Sequence, residues 1–264
     1  MKDAWGRTIE YVRLSLTDAC NFCCPYCRPA EITPQSQHQL LSVDEWMTIL
    51  GAFHQVGVKA VRLTGGEPLL YPHIEELLAR IKQTGWFEDI SMTTNGSLLA
   101  PRAAKLKELG LNRVNISLDS LDSDAFALCV GKANQLDSVL NGIQSAIDAG
   151  FTSVKINTVL SRHWTDDEVH DLLTYVETWP VIWRFIEYMP FQGDAFHGPT
   201  FDEWKAQLER VSGGVLTENH DVYGFGPATY YNLPSGKEIG FIFSMSHSYC
   251  DTCNRVRLTS DGQM

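Results

Sequence analysis

Six short apolar segments alternate with amphipathic segments along the first 190 residues, and this alternation strongly limits the folds open to the chain. The apolar segments have the composition of strands, and the segments after them repeat apolar residues at helical spacing. Two strands joined through a helix pair in parallel, because an antiparallel pair needs only a short turn. The pattern therefore predicts a parallel sheet covered by helices, either a doubly wound sheet or a barrel.

Most of these elements can be placed along the chain. The six strands are predicted at Tyr11–Leu16, Val61–Leu63, Ile90–Thr93, Arg113–Leu118, Val154–Leu160 and Ile182–Glu187. Capping boxes at Ser42/Glu45 and Thr165/Glu168 predict the starts of two intervening helices, because each pair satisfies exposed backbone donors. A complete eight-unit barrel takes about 250 residues. Six units that end near residue 190 therefore predict an α/β fold with a partial (β/α)6 TIM-type barrel.

The character of the sequence changes after residue 190. Residues 191–199 are rich in glycine and proline, which favours a loop. Thr200 and Glu203 form a further capping pair that predicts one more helix. Strand-like pieces follow around Val215, Tyr230 and Ile239–Ser244. We therefore predict a partial barrel over residues 1–190 and a small α+β appendage over residues 191–264, which carries a Cys-x2-Cys pair.

Charge and hydropathy exclude several classes of protein. The formal net charge of −11 argues against a general nucleic-acid binder, which carries an excess of lysine and arginine. No apolar run approaches the roughly 20 residues that span a bilayer, and the start of the chain lacks the apolar core of a secretory signal. We therefore predict a cytoplasmic protein without nucleic-acid or membrane partners. A phosphorylated small molecule is compatible with this charge, because a few arginines can bind it locally.

Six of the seven cysteines lie in two tight groups. In a chain without a secretory signal, such groups indicate metal ligation more often than disulfides. Cys20, Cys24 and Cys27 have the spacing C-x3-C-x2-C and follow the first strand, where the active-site loops of barrels lie. Three thiolates can each bind one iron of a cubane cluster and leave the fourth iron open. Cys23 could replace Cys24 as a ligand, and Cys129 is predicted to be a core or surface residue.

A zinc site is the alternative for the same cysteines. Cys24 and Cys27 could share one ion with Cys250 and Cys253, since four thiolates suit tetrahedral zinc. The chain would then be a zinc-stabilised binding protein without catalysis.

A glycine pair follows the second strand, in Thr64-Gly65-Gly66-Glu67-Pro68. Glycine lets the backbone approach a ligand closely, and Glu67 could support a positively charged amino group there. The Gly-Lys-Ser/Thr ending of a phosphate-binding P-loop is absent. Thr93 and Ser117 lie near the ends of the next two strands, where hydroxyls could bond the same ligand. An ordinary strand-to-helix turn is the alternative.

Arg13, Arg62 and Lys155 lie inside apolar strand segments on three different strands. An unpaired charge is costly there, so the three cations could converge on a triphosphate, with arginine forming bidentate bonds. Solvated surface charges are the alternative reading.

The cysteine spacing and the Gly-Gly-Glu-Pro loop together resemble the radical S-adenosylmethionine (SAM) enzymes. Nearly the whole chain resembles one branch, the GTP 3′,8-cyclase family of molybdenum cofactor biosynthesis. The match includes Gly6-Arg7, Val154-Lys-Ile-Asn-Thr158 and Arg184-Phe-Ile-Glu-Tyr-Met189. Its most specific part is Cys250-Asp-Thr-Cys253-Asn-Arg-Val-Arg257. The resemblance implies a lyase that uses a [4Fe–4S] cluster and S-adenosyl-L-methionine.

The resemblance also implies residue roles. Cys20, Cys24 and Cys27 would bind the cluster. SAM would contact Tyr26, Gly65, Gly66, Glu67, Ser117 and Met189. GTP would be held by Arg13, Arg62, Thr93, Lys155, Arg255 and Arg257. Arg257 would also assist a late reductive step by proton or charge support. The implied partners are a reductant protein such as flavodoxin or ferredoxin, and a second copy of the chain in a homodimer.

The family carries a second cluster with the spacing C-x2-C-x13-C. Cys250 and Cys253 match its first two ligands, and the third would fall three residues after Met264. A truncated cyclase and a natural short homologue are both compatible with this. The remaining enzymatic alternative is a divergent radical SAM enzyme that acts on a peptide or a sugar.

Overall fold

The computed structural model describes residues 2–4, 6–27, 40–190, 196, 198–221 and 224–264. The strands are β1 (Tyr11–Ser15), β2 (Ala60–Thr64), β3 (Asp89–Thr94), β4 (Arg113–Ser117), β5 (Ser153–Val159), β6 (Ile182–Ile186), β7 (Thr217–Asn219), β8 (Thr229–Asn232), β9 (Glu238–Ile242) and β10 (Arg255–Leu258). The helices are α1 (Val43–Gln55), α2 (Ile74–Thr84), α3 (Ala103–Glu108), α4 (Ser123–Val130), α5 (Leu136–Asp148), α6 (Asp166–Thr178) and α7 (Phe201–Ser212). Short 3-10 turns lie at Pro68–Leu70 and Cys250–Thr252.

All ten strands belong to one sheet, in the order β10-β1-β2-β3-β4-β5-β6-β9-β8-β7. The strands from β10 to β9 in this order are parallel, and β8 and β7 continue the sheet antiparallel. The prediction of a partial barrel of parallel strands is confirmed, and all six predicted strands are present within one or two residues.

The C-terminal strands extend the barrel sheet at both of its edges. β9 pairs with β6, and β10 pairs with β1, both in parallel. These strands therefore do not form a separate layer against the barrel. An unpaired edge leaves backbone groups unsatisfied, and the two strands satisfy them. Strand β10 was not predicted from the sequence, because Arg255 and Arg257 interrupt its apolar pattern.

The helix starts follow the capping signals in the sequence. Capping boxes are formed at the N-termini of α1, α6 and α7, as predicted. The short helix α4 was missed. Its N-cap is Asp122, whose side chain accepts from the amide of Ala125. Its eight residues are too few for a clear apolar period. The Gly- and Pro-rich loop predicted at 191–199 lies mostly outside the described residues.

The two faces of the sheet have opposite character. Val12 and Leu14 of β1 are fully buried in the apolar core, which the helices cover with residues such as Trp46 and Leu77. Side chains of successive strand residues point to opposite faces of the sheet. The positions between the core residues therefore form the inner face, and most strands carry polar residues there, for example Arg13. The helices therefore cover an apolar outer face, and the polar inner face is free to build a site. None of the described helices is long and apolar enough to cross a bilayer.

Candidate active site

A cavity of about 420 Å³ lies at the carboxyl ends of the parallel strands. The cysteine loop, the Gly-Gly loop and the ends of several strands line it. The lining residues are Arg13, Ser15, Cys20, Phe22, Cys24, Tyr26, Cys27, Thr64, Gly65, Gly66, Thr93, Thr94, Asn95, Ser117, Asp119, Val130, Asn157, Val159, Ile186 and Arg257. The cavity thus unites the predicted cluster ligands with Tyr26, both glycines, Ser117, Thr93 and two of the predicted substrate cations.

Three of the four cysteines of the first loop face this cavity. Cys20, Cys24 and Cys27 line it, whereas Cys23 does not, and the Cys23 amide donates to the carbonyl of Val130 at 2.9 Å. Burial raises the pKa of the Cys24 thiol to about 12, and Asp119 adds to the rise. Such a thiol is protonated at neutral pH, so a bound cation would be needed to favour the thiolate. The donor set fits a cubane cluster, with Cys24 rather than Cys23 as the middle ligand.

The Gly-Gly loop packs directly on the cysteine loop. The amide of Gly66 donates to the carbonyl of Thr17 at 2.6 Å, and the amide of Glu67 donates to that of Ala19 at 2.8 Å. A Cβ atom on Gly66 would lie 2.2 Å from the Ala19 oxygen, and one on Gly65 would lie 2.5 Å from the Thr17 oxygen. Gly65 also has a φ of +150°. Both positions therefore require glycine for the two loops to meet.

Gly66→Ala is expected to prevent cluster assembly, because the methyl group would push the backbone between Thr17 and Cys20 out of place. We expect iron and sulfide after anaerobic reconstitution to fall to less than about a fifth of the wild-type content, a large effect typical of overpacking against backbone. The matched control is Gly85→Ala, whose Cβ would meet no atom within 4 Å. It should lose about 1 kcal/mol of stability at its left-handed position and keep its iron. A Gly66→Ala protein with full iron content would contradict the close packing of the two loops.

Glu67 is placed differently from the prediction. Its carboxylate is fully buried. It accepts from the Thr94 hydroxyl at 2.7 Å and from the backbone amides of Asn95 at 2.7 Å and Leu69 at 3.0 Å. Burial raises its pKa, and these donors oppose the rise. Because its oxygens are taken up by protein donors, Glu67 joins the Gly-Gly loop to the end of β3. Glu67 does not line the main cavity, and its support of a ligand amino group stays a prediction.

Asp119 is a site residue that the sequence analysis missed. The hydroxyl of Tyr26 donates to its carboxylate at 2.5 Å, and the amide of Val159 donates to the other oxygen at 2.8 Å. Burial raises the pKa of Asp119 to about 6. The contact ties the cysteine loop to the ends of β4 and β5. Asp119 immediately follows the predicted strand Arg113–Leu118, so its place at a strand end was the available signal.

Cations from six strands lie on the inner face of the barrel: Arg13, Arg62, Arg113, Lys155, Arg184, Arg255 and Arg257. Arg13 and Arg257 are in register on neighbouring strands and line the main cavity. Burial, together with the charges of Arg62, Arg257 and Arg255, lowers the pKa of Arg13 to about 10. The Nε atom of Arg13 is buried and finds no hydrogen-bond acceptor among the described residues.

The deeper cations repel one another as well. Burial lowers the pKa of Lys155 to about 6, followed by the charges of Arg184, Arg113 and Arg62. Among the described residues, Asp89 is the carboxylate that forms an ion pair with one of these inner-face cations: its oxygen accepts from Arg113 Nε at 2.7 Å. The interior therefore concentrates positive charge in a protein of net charge −11, an arrangement that suits a polyanionic ligand.

The second cysteine pair lies at the opposite end of the barrel. Cys253 precedes β10 and borders a separate cavity of about 490 Å³ with Arg255 and Tyr249. Cys20 follows the other end of β1, which runs parallel to β10 with Tyr11 beside Arg255. At about 3.3 Å per residue, β1 alone separates the two groups by about 15 Å. One zinc ion cannot bridge that distance, so the four-cysteine zinc site is wrong.

The two cysteine groups differ from a site for a single metal ion. Within the described ranges, no three His, Cys, Asp or Glu side chains converge as the ligands of a single ion would. Ligands of a cubane cluster each bind a different iron and need not converge. At the second pair, the guanidinium of Arg7 donates to the Cys250 carbonyl at 2.7 Å, which explains how Gly6-Arg7 contributes to that turn.

Several residues lie where the sequence did not place them. Met189 is 54% exposed and its sulfur accepts from the Ser244 hydroxyl at 3.3 Å, outside the main cavity. Asn115, Asn157, Arg184 and Tyr230 contribute polar groups to the interior without a predicted site role. For Asn157 the signal was present, because it lies two residues after Lys155 on the same face of β5.

Comparison with protein families identifies both halves of the chain. Residues 14–176 match the radical SAM superfamily, and residues 181–264 match the Molybdenum Cofactor Synthesis C family. The chain is 41% identical over 268 residues to GTP 3′,8-cyclase 2 of Pseudomonas aeruginosa, covering 99% of this chain and 80% of that protein. It is 44% identical over 266 residues to GTP 3′,8-cyclase of Trichodesmium erythraeum, covering 97% and 80%.

The chain belongs to the GTP 3′,8-cyclase family of radical SAM enzymes. Its cofactors are therefore a [4Fe–4S] cluster and SAM, and its substrate is a small molecule. Solved structures agree on the fold. The SAM-bound SuiB of Streptococcus suis superposes with a TM-score of 0.69 at 15% identity, over 96% of this chain and 59% of that one. The enzyme anSMEcpe with bound AdoMet gives a TM-score of 0.58 at 15% identity, over 77% and 59%.

Proposed function

We propose that this protein converts GTP to 3′,8-cyclo-7,8-dihydro-GTP, a step of molybdenum cofactor biosynthesis. The observation that carries the proposal is that Arg13 and Arg257 line the same cavity as Cys20, Cys24 and Cys27. The cysteines proposed to hold the radical-generating cluster and cations suited to phosphate thus line one cavity. The curated relatives named GTP 3′,8-cyclase support the choice of substrate.

The proposed cofactor site lies at the carboxyl ends of the parallel strands. Cys20, Cys24 and Cys27 would hold the [4Fe–4S] cluster, and SAM would lie against Tyr26, Gly65, Gly66 and Ser117. A contact between SAM and Met189, which does not line this cavity, stays a prediction. When bound, the cluster and SAM supply the carbon radical that removes the C3′ hydrogen of GTP. The protein contributes the position of each group. Glu67 and Asp119 hold the surrounding loops, through the Asn95 amide and the Tyr26 hydroxyl respectively.

The proposed substrate site uses the polar inner face of the barrel. The triphosphate would bind Arg13, Arg62, Thr93, Lys155, Arg255 and Arg257. Arginine offers bidentate bonds to phosphate oxygens, and the buried Nε of Arg13 would gain an acceptor. Polyphosphate placed there would offset the charges of the neighbouring arginines, which add to the effect of burial in lowering the pKa of Lys155 to about 6.

The guanine would then lie toward the other end of the barrel. We propose that Cys250 and Cys253, next to Arg255, serve there as ligands of a second cluster. The new bond joins C3′ of the ribose to C8 of the guanine, and one electron and one proton complete the product. Arg257 lines the main cavity, where its charge could assist this late reduction. We propose that a small protein such as flavodoxin or ferredoxin supplies the electrons in the cytoplasm.

The test is anaerobic incubation of the reconstituted protein with GTP, dithionite and SAM. We expect 5′-deoxyadenosine and cyclised GTP in comparable amounts, identified by liquid chromatography and mass spectrometry. Deoxyadenosine without any cyclised GTP would contradict the proposed substrate and favour a divergent radical SAM enzyme. Omitting GTP should lower deoxyadenosine formation to the uncoupled background.

A further inference from the structure

Tyr230 places a phenol among the buried cations, although it belongs to the antiparallel strand β8. Its hydroxyl accepts from the Lys155 amine at 3.3 Å, and the same amine lies 5.6 Å from the ring centroid. A hydrogen bond to Tyr230 also raises the pKa of Arg184 against the effect of burial. One phenol therefore contacts two cations on neighbouring strands, β5 and β6.

The fold makes room for this phenol at a glycine. A Cβ atom on Gly240 of β9 would lie 2.8 Å from Cγ of Arg184 and 2.9 Å from the Tyr230 ring. Gly240 pairs with both residues, with Arg184 in parallel and with Tyr230 antiparallel. Because Gly240 has no side chain, the aliphatic part of Arg184 and the ring of Tyr230 can both pack against its Cα atom. The position of the phenol is thus set by backbone pairing and close packing.

The other hydrogen bonds of Arg184 to described residues are with neutral groups. Its guanidinium donates to the amide oxygens of Asn157 at 2.7 and 3.0 Å and of Asn115 at 2.7 Å. Amide oxygens orient the guanidinium but leave its charge uncompensated. Among the described residues, the largest charges acting on Lys155 are those of Arg184, Arg113, Arg62 and, with opposite sign, Asp89. A phenol in this place orients cations without neutralising them, which a carboxylate would do.

We propose that Tyr230 is a substrate-positioning residue that holds the Lys155 amine for contact with a polyphosphate chain. This inference rests on the proposed function, because it assigns the phosphate end of GTP to this part of the barrel. A lysine ammonium carries three donor protons, so it can bond the phenol oxygen and a phosphate oxygen at the same time. Charge-assisted bonds of this kind contribute strongly to anion binding.

The experiment compares Tyr230→Phe with Tyr231→Phe in the whole chain. Tyr231 is the next residue on β8 and packs on the other face of the sheet, 5.3 Å from the Phe241 ring. Each change removes one hydroxyl and keeps the ring. Equilibrium binding is measured for GTP, inorganic triphosphate and guanosine, and KM and kcat are measured with GTP.

We expect Tyr230→Phe to weaken GTP and inorganic triphosphate about tenfold, the size of one charge-assisted hydrogen bond, and to change guanosine binding less than about twofold. KM should rise by a similar factor while kcat at saturating GTP stays near wild type. Tyr231→Phe should leave all of these values unchanged.

Unchanged triphosphate affinity in Tyr230→Phe would overturn the inference. So would an equal loss for guanosine, because that result indicates a general loss of structure. Wild-type protein that binds triphosphate but not GTP would contradict the proposed function while leaving the role of Tyr230 measurable with triphosphate. Wild-type protein that binds neither would contradict both.

Discussion

Cys24→Ser is expected to abolish the [4Fe–4S] cluster of the first loop, whereas Cys23→Ser is expected to leave it intact. The two cysteines are adjacent in sequence, but only Cys24 of the pair lines the cavity with Cys20 and Cys27. A serine at position 24 removes the soft thiolate that iron–sulfur clusters require. We expect the iron and sulfide content and the brown colour of anaerobically reconstituted protein to fall to background in Cys24→Ser.

The measurement needs a background without the second cysteine pair. Cys250→Ala and Cys253→Ala remove any iron bound at the other end of the barrel, so the count refers to the first loop alone. In this background Cys23→Ser should keep about four irons per chain, as a cubane requires. If Cys23→Ser lost the cluster and Cys24→Ser kept it, Cys23 would be the ligand and the loop geometry described above would be wrong.

Lys155→Met is expected to weaken GTP binding by at least about 100-fold and, at the same time, to raise the melting temperature by a few degrees. Lys155 is 2% exposed and surrounded by arginines. Removing a cation that contacts a triphosphate eliminates at least one charge-assisted bond. Removing the same cation from the free protein relieves repulsion and desolvation. Opposite effects on binding and on stability identify a residue retained for its ligand.

The dependence on pH provides a second measurement for Lys155. Its pKa is about 6 in the folded chain, compared with 10.5 for an ordinary lysine. Between these values the unfolded chain binds more protons, so the stability of the wild type rises with pH. The stability advantage of Lys155→Met is therefore greatest near and below pH 6 and disappears toward pH 10.5. Melting temperatures of both proteins across this range test the prediction.

Proton uptake on binding follows from the same pKa. A bound triphosphate favours the charged amine, so GTP binding above pH 6 takes up a proton and weakens as the pH rises. Because GTP itself titrates, the informative quantity is the difference between wild type and Lys155→Met. Calorimetry in two buffers of different ionisation enthalpy measures it. Lys105→Met on the exposed surface of α3 is the control and should match the wild type. Equal proton uptake in wild type and Lys155→Met would contradict the assignment.

Local signals in the sequence were sufficient for the elements and for the first cysteine loop. The capping boxes placed the starts of α1, α6 and α7, because their hydrogen bonds form within four consecutive residues. Strand β10 and helix α4 were missed for two different reasons. The eight residues of α4 show no clear apolar period. Arg255 and Arg257 make β10 look unlike a strand, and it is stable because β1 offers an edge 244 residues earlier in the sequence.

By itself, the sequence determined the chemistry available to this protein: three thiols at cubane spacing, a glycine pair, and cations within apolar strands. The tertiary structure decided which of these groups meet. It placed the two cysteine groups at opposite ends of parallel strands. It also surrounded Glu67 with protein donors and brought Tyr230 from β8 beside Lys155 of β5. Spacing along a strand determines which face a residue occupies, but only strand order and register determine its neighbours across the sheet.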